Sequence, residues 1–402
     1  METFRAQVVV VGAGPVGLFA AYILAIQGIE AIVLEKETEG QTDMRASTFH
    51  ASTLSYLNQI GLASSLIALG LKAPVFQYRI RSNDEILAFD LGELSDILKY
   101  PFRLQCEQHK FSKMLANKLS SENSSEIFFD CSVKSFKQTA DSVSVYAETP
   151  GGSKKFVGDY LIGADGAGSV IRNGLGLKFP GFTYEEKFLT LSTMFDLNET
   201  FENLAFVNYV SDPNDWFVLL KAPSAWRVLV PVEQSLADEE ILSDAFTDSV
   251  FKAITGLNIP INTNHRTIYQ VHQRVVESMH RNRIVLAGDA AHLNNPLGGF
   301  GMNGGLHDAW NVSWKLKSII KDGKNPQELL SLYDRQRRAV MGEFVQSQTI
   351  RNKKMIEESG NDKEKSEWTN MRVIHADPNA RHEFMFRQCM AKSLMDEKEI
   401  KE

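Results

Sequence analysis

The sequence predicts a mixed α/β fold: a parallel, helix-flanked sheet carrying an inserted antiparallel sheet, followed by a helical C-terminal tail. Three observations predict it. Apolar runs at Gln7–Val11 and Ile29–Glu35 flank a helical run at Val16–Ile26, the order of a β-α-β unit with strands buried on both faces. Segments such as FQYRIRS, LLKAPSAWRVLVP and HRTIYQVHQRVV alternate apolar and polar residues, as half-exposed antiparallel strands do. Beyond about residue 328 the pattern turns helical.

Taken in order, the first unit ends its helix at Gly28, where a left-handed backbone is expected. Residues 46–69 read as helical, with apolar side chains recurring at three and four. Alternation over Val75–Leu91 and again over Phe188–Gln273 marks the antiparallel sheet. Between these stretches lie a helix near 107–121 and strands at 127–147 and 156–163. The run Arg283–Gly288 returns to the buried-strand type, and a helix follows over Gly301–Lys321. Residues 352–366 are so polar that a solvated helix or a mobile loop is expected.

Composition narrows the function. The 402 residues include 43 Lys plus Arg and 50 Asp plus Glu, a net charge of −7. An acidic chain without basic runs is not built for nucleic acid or for stable membrane association. The longest apolar run, Val16–Ile26, is too short to cross a bilayer, and no leader segment is legible. Three scattered cysteines, Cys106, Cys131 and Cys389, suit a reducing, cytoplasmic setting. The nine histidines show no metal-ligand spacing, so no metal is expected.

Gly12-x-Gly14-x-x-Gly17, with Pro15 and Val16 inside it, sits where the first strand meets the first helix. The glycines permit a tight turn, close approach of a pyrophosphate and close helix–strand packing. The helix N-terminus offers unpaired N–H groups and positive dipole to phosphates. Glu35, followed by Lys36, ends the second strand 21 residues after Gly14. A carboxylate there accepts from ribose hydroxyls and repels a 2′-phosphate, so the nucleotide is FAD or NAD rather than NADP. The fingerprint alone leaves that pair open.

Two later motifs bear on the choice. Tyr160-Leu-Ile-Gly-Ala-Asp165-Gly166 precedes Arg172, and Arg283-Ile-Val-Leu-Ala-Gly288-Asp289-Ala-Ala-His292 leads to Pro296-Leu-Gly-Gly299-Phe-Gly301-Met302-Asn303-Gly-Gly305. A glycine-dense loop lets backbone approach a flat ring. The helix N-terminus after it can stabilise the charge that develops on a reduced flavin.

Together the three motifs resemble the class A FAD-dependent aromatic monooxygenases, the family of para-hydroxybenzoate hydroxylase. The resemblance spans about residues 5–340. It implies a Rossmann-like FAD-binding domain (1–74, 102–180, 276–330), an inserted antiparallel β-sheet substrate domain (75–101, 181–275) and a helical C-terminal region (331–402). It also implies that NAD(P)H, visiting transiently, reduces FAD, and that O2 gives a C4a-hydroperoxyflavin that hydroxylates a small aromatic or heteroaromatic ring. By the same resemblance Glu35 holds the adenosine ribose, Arg45 lies near pyrophosphate and flavin, and Gln105 contacts the cofactor's linker. Asp165 and Arg172 serve FAD and NAD(P)H, Asp289 takes the ribityl chain, Pro296 faces the substrate, and Met302 and Asn303 offer backbone N–H groups to the pyrimidine edge.

For the substrate, Phe206, Tyr209, Trp216, Trp226, Arg227 and His272 are candidates, with sheet core as the plainer reading of each aromatic. Arg227 points opposite to Trp226; a solvated strand face is its first reading, pairing with a substrate carboxylate the second. Tyr209 is a candidate for deprotonating a phenolic substrate. Two alternatives remain: a flavin-dependent halogenase, against which Trp226–Pro231 lacks the second Trp of that group's W-x-W-x-I-P motif, and a non-catalytic, redox-sensing FAD protein. The tail has two roles open to it, an active-site cap or a homodimer contact.

Overall fold

A computed structural model describes residues 1–40, 46–122, 124–212, 216–358 and 367–401. A six-stranded sheet runs in the order His280–Arg281, Ile284–Leu286, Tyr160–Gly163, Val8–Val11, Ala31–Leu34, Ser125–Phe128. Every neighbour is parallel except the first pair. The four consecutive valines Val8–Val11 are buried because both faces of the sheet are covered. The helix Pro15–Ala25 buries every residue from Gly17 to Ala25, and full burial of Leu18, Phe19, Ile23 and Leu24 contributes about 1.5–3 kcal/mol each. It packs against the helices Gln108–Leu119 and Phe300–Asp322. Gly28 has φ +66° just beyond the first helix, as the sequence requires. On the far side Phe4 and Phe156, from a separate four-stranded sheet, stack at 5.2 Å and close over Phe128.

An eight-stranded sheet forms the second layer, ordered His292–Leu293, Thr263–Val275, Gly181–Thr193, Trp226–Val232, Phe217–Lys221, Val207–Ser211, Val75–Ile80, Glu85–Asp90. All its pairs are antiparallel except Val207–Ser211 with Val75–Ile80. That parallel seam joins two stretches of chain that alternate independently, and hydropathy patterning cannot see their relative direction. The edge strand His292–Leu293 belongs to the glycine-dense motif, so the sheet is tied directly to that loop.

Three segments differ from expectation. The sheet's second stretch starts at Gly181, ahead of the alternation but at the expected domain bound, and its later part is interrupted by helices Asp238–Ile241 and Asp244–Thr255. Ser243 caps the longer one through Phe246 N–H at 3.2 Å, and Gly256 ends it at φ +73°. Its face of Thr247, Phe251 and Ile254 is buried under the sheet, a helical period masked by the strands around it. Residues 46–69 are a short strand, Thr48–Phe49, then helices Ala51–Gln59 and Ala63–Ile67, broken at Gly61 with φ +73°. The solvated segment expected from 352 is buried at its start. Asn352, Lys353, Met355 and Ile356 lie inside, Lys353 pairing with Glu186 and Glu357 and Asn352 donating to Leu297 O at 3.1 Å. The remainder, 359–366, lies outside the described residues.

The tail helices Glu367–Ala376 and Pro378–Gln388 fold back onto the Glu85–Asp90 edge of the eight-stranded sheet and the turn after it, and Ala391–Glu399 packs on the helical segments Pro326–Ala339 and Val340–Gln346. Phe384 packs on Phe89 at 4.9 Å, while Trp368, Met371, Met385 and Cys389 share a core with Phe76 and Tyr78. Ion pairs Arg372–Glu85 at 2.8 Å and Arg381–Glu93 at 3.0 Å fasten the rim. Among the described residues no helix is long and apolar enough to cross a membrane.

Candidate active site

Between the two large sheets lies a cleft of about 760 Å³, within the size range of a cofactor or ligand site. Gly12, Gly14, Pro15, Val16, Glu35 and Lys36 line one end. Gly12 takes φ +103°, and a Cβ on Gly17 would fall 1.9 Å from its carbonyl oxygen. Gly17 therefore works by close packing and does not itself line the cleft. Gly14 begins the helix with no side chain over its end, which leaves first-turn N–H groups open to phosphate. Glu35 is buried, accepting from Ala13 N–H at 2.7 Å through Oε2 and from Glu37 N–H at 3.1 Å through Oε1. Two lone-pair positions remain for ribose hydroxyls, on a carboxylate already held in place.

Asp165 lines the cleft and closes its own loop, accepting from Ser169 Oγ at 2.5 Å and Ile171 N–H at 3.1 Å. Burial pushes its carboxyl upward against those bonds. Arg172 is a brace behind it: Nη1 donates to Ala290 O at 3.1 Å and Nη2 to Ala167 O at 2.8 Å, with the guanidinium over Phe179. It joins the second motif to the third without reaching the cleft surface.

Asp289, Pro296, Gly299, Gly301 and Met302 line the same cleft, with Gly288 packed beside Val16. Gly299 is left-handed at φ +70°, and no side chain caps the helix it starts, Phe300–Asp322. The open N–H groups of that first turn face the cleft through Gly301 and Met302, placed to stabilise negative charge. Asn303 is not among the residues that line the cleft surface. Its side chain accepts from His50 N–H at 2.9 Å and Thr53 Oγ1 at 2.7 Å, and donates to the carbonyls of Thr48 and Gly299, so it staples the loop to residues 48–53. Gly288, φ +62°, donates its N–H to Asp308 Oδ2 at 2.9 Å. Asp308 also accepts from His292 Nε2 and Arg337 Nε, each at 2.6 Å. Burial would raise the Asp308 carboxyl, but the His292 and Arg337 charges and hydrogen bonds hold it below the usual range. Arg337 continues to Glu397 at 2.5 Å.

The floor is apolar and comes from one cross-strand row. Tyr209 pairs with Val218, Val218 with Leu229, and Leu229 with Thr190, all of which line the cleft. A second row pairs Leu220 with Arg227. Arg227 is buried in the cleft, its Nη1 donating to Ser47 Oγ at 3.3 Å, so the solvated-face reading is corrected: the sheet face it shares with Leu229 is covered by residues 46–48. His272 lines the cleft with Nδ1 bonded to Thr183 Oγ1 at 2.8 Å, burial lowering its affinity for a proton.

Three substrate candidates stand elsewhere. Trp226 points to the opposite sheet face, donating to Asp196 at 3.1 Å inside the core under Asp244–Thr255. Trp216 packs edge-on against Phe188 at 5.1 Å, and Phe206 is 37% exposed. For these the plainer reading holds: strand aromatics fill the core or the sheet surface. Gln105 lies just behind the wall. Its Oε1 accepts from Thr48 Oγ1 at 3.1 Å, while Nε2 is buried without a partner. Arg45 lies outside the described residues. The sequence reading missed Ser47, Thr48, Val218, Leu220, Leu229, Tyr269 and Leu297, which also line the site. Strand parity with Tyr209 and Arg227 was the signal for Val218, Leu220 and Leu229; the loop residues carried none.

Among the described residues no group of three or more His, Cys, Asp or Glu is placed to hold a metal. The three thiols are free and buried, each pushed up to about 11 by burial, so none is a thiolate at neutral pH. FAD fits this arrangement. The cleft runs from the ribose-type carboxylate at Glu35 past two open helix N-termini, and Gln105 Nε2 is a buried donor awaiting an acceptor.

The fold and cleft thus define a flavin-dependent oxidoreductase. A family model described as an FAD binding domain matches residues 5–348. The chain is 32% identical over 375 residues to the 6-hydroxy-3-succinoylpyridine 3-monooxygenase of Pseudomonas putida, covering 92% of this chain and 93% of that protein. It is likewise 32% identical over 385 residues to the para-nitrophenol 4-monooxygenase of Pseudomonas sp. (strain WBC-3), covering 90% and 94%. The crystal structure of a p-nitrophenol 4-monooxygenase from Pseudomonas putida DLL-E4 superposes with a TM-score of 0.85 at 29% identity, over 95% of this chain and 99% of that one. The chain belongs to this family and is an FAD-dependent aromatic monooxygenase. Its reductant and co-substrate are NAD(P)H and O2, and the halogenase reading finds no support.

Proposed function

We propose that the chain is a single-component, cytoplasmic hydroxylase of a small phenol-type ring, which sits on the Tyr209–Val218–Leu229 floor opposite the Pro296–Met302 loop. The observation that carries this is the continuity of one cleft from the Glu35 end to that apolar floor. The six-stranded sheet with its helices serves as the FAD-binding domain and the eight-stranded sheet as the substrate domain. Bound FAD supplies the redox chemistry, taking electrons from NAD(P)H and activating O2.

The residues of the chain do the rest. Gly12, Gly14 and the first-turn N–H groups hold the pyrophosphate, and Glu35 the ribose. Asp289 holds the ribityl chain, and Gly299–Met302 present N–H dipoles to the flavin's pyrimidine edge. Val218, Leu229 and Leu297 exclude water from the ring face. Tyr209 offers a hydroxyl at the floor, placed to take part in the proton inventory of a phenolic substrate. Arg227 and His272 set polarity at the cleft wall. The small six-stranded framework carries only one complete dinucleotide fingerprint, which supports transient rather than resident NAD(P)H.

Purified holoenzyme should be yellow and should oxidise NAD(P)H slowly alone. Hydroxylated benzoates, nitrophenols and hydroxypyridines, screened singly, should accelerate that oxidation, with one compound gaining an oxygen atom by mass. Acceleration by none of these rings would overturn the proposal.

A further inference from the structure

Behind Tyr209 lies a second polar cluster that the cofactor reading does not use. Arg103 is 1% exposed, on the short strand Arg103–Gln105 two residues from Gln105. Its Nη1 donates to Tyr209 Oη at 3.2 Å, and its guanidinium lies over Phe76 at 4.2 Å. Nε and Nη2 have no partner, and among the described residues no carboxylate pairs with the charge. Other buried polar atoms stand open on His50 and Tyr78, which feel its charge, and on Gln388, the neighbour of Cys389, which feels it too. His50 gives Nε2 to Gly298 O of the glycine-dense loop at 2.8 Å and leaves Nδ1 unmatched. Tyr78, stacked on Tyr209 at 5.1 Å, has an unbonded hydroxyl. Gln388, next to Cys389 on the tail, has both amide atoms unbonded.

An unpaired buried charge is costly, and native proteins do not keep one without a partner. The geometry of the open donors says what that partner is. Nε and Nη2 form one edge of the guanidinium, the edge whose parallel N–H groups grip both oxygens of a carboxylate. The donor set therefore asks for a planar, two-oxygen anion. Its position, one side chain beyond the cleft floor at Tyr209, places that anion at the far end of the substrate.

Resting on the hydroxylase reading above, we propose that Arg103 recognises a carboxylate on the aromatic substrate, with Tyr209, Tyr78 and Gln388 completing the pocket. The tail then has a function: Gln388 and Cys389 close the end of the substrate site. Substrates are hydroxyaromatic acids, and reaction falls on the ring edge remote from the acid group. A nitro group shares the shape and lacks the charge, so it binds the same fork more weakly.

The test uses full-length holoenzyme without NAD(P)H, titrated with 4-hydroxybenzoate and with its neutral isostere 4-hydroxybenzamide while the flavin absorbance change is read. In the native chain the acid should bind at least roughly tenfold more tightly than the amide. Arg103→Met should raise the Kd of the acid about 100-fold and leave that of the amide unchanged. Arg103→Lys should recover part of the loss, and unchanged FAD content shows that both variants fold. Equal binding of acid and amide by the native chain would overturn the assignment, as would equal weakening of both in Arg103→Met. Acid binding untouched by Arg103→Met would mean that ordered water fills the fork, and would overturn it too. If phenols without an acid group accelerate NAD(P)H oxidation while acid and amide bind alike, the Arg103 assignment alone has failed. If no ring perturbs the flavin or accelerates oxidation, the hydroxylase reading has failed with it.

Discussion

Two buried polar clusters flank the glycine-dense loop, and they are built on opposite principles. On one side the charges of Asp308, Arg337 and Glu397 are matched, with His292 and Gly288 N–H completing the carboxylate's bonds. On the other, Arg103 carries its charge with two N–H groups open, and His50 and Tyr78, which feel that charge, also hold unmatched atoms. A network whose buried charges are paired, as here although His292 Nδ1 stays unmatched, fixes a loop in one conformation. An open one keeps its bonding capacity for a ligand. On the reading proposed above, the same loop is held in place on its cofactor side and open to a ligand on its substrate side.

That contrast predicts opposite responses to the same kind of substitution. Arg337→Met strands Asp308 and Glu397 and should cost about 3–5 kcal/mol of stability, read by urea unfolding of the holoenzyme, with loss of FAD. Arg103→Met removes a buried charge that has no counter-ion, so in the ligand-free holoenzyme its unfolding free energy should hold or rise. Comparable losses in both variants would erase the distinction. Next in size, Gly17→Ala forces a Cβ onto the Gly12 carbonyl and should cost about 1–3 kcal/mol with weakened FAD retention, seen as flavin released on gel filtration.

Acid should also separate the clusters. His50 is lowered to about 3 by burial and by the Arg103 charge, and His307 well below its ordinary value by burial and Arg337. Both bind a proton more readily when unfolded, so stability is complete above about pH 6.5 and is lost as pH falls below it, for His50 down to about 3. His50 contributes a slope of about 1.4 kcal/mol per pH unit across that window and His307 a loss of the same sign, measured by denaturant titration at stepped pH. A carboxylate ligand offsets the Arg103 charge, so saturating 4-hydroxybenzoate should shift His50 upward and flatten the acid limb. The smallest effect belongs to the rim: Glu93→Gln breaks the exposed pair with Arg381 and should cost about 0–1 kcal/mol, read as a shift in Tm.

Much of this was legible in the sequence. Gly12, Gly14 and Glu35 could be placed together at one turn, where they line the cleft, because strand, turn and helix constraints are local. Strand parity put Arg227 and Trp226 on opposite faces as the structure does. What parity could not say was which face is covered, and so Arg227 read as solvated when residues 46–48 bury it. The polar letters of Asn352 and Lys353 likewise hid a buried segment, because Glu186 and Leu297 meet them from distant parts of the chain. Arg103 carried no local signal at all. Its meaning depends on Tyr209, His50 and the returning tail, which only the fold brings together.

The most direct measurement is a crystal structure of the holoenzyme with 4-hydroxybenzoate bound. The account predicts both carboxylate oxygens within hydrogen-bond distance of Arg103 Nε and Nη2, with the ring over Val218 and Leu229. A carboxylate held instead by Arg227, with water along the Arg103 edge, would contradict it.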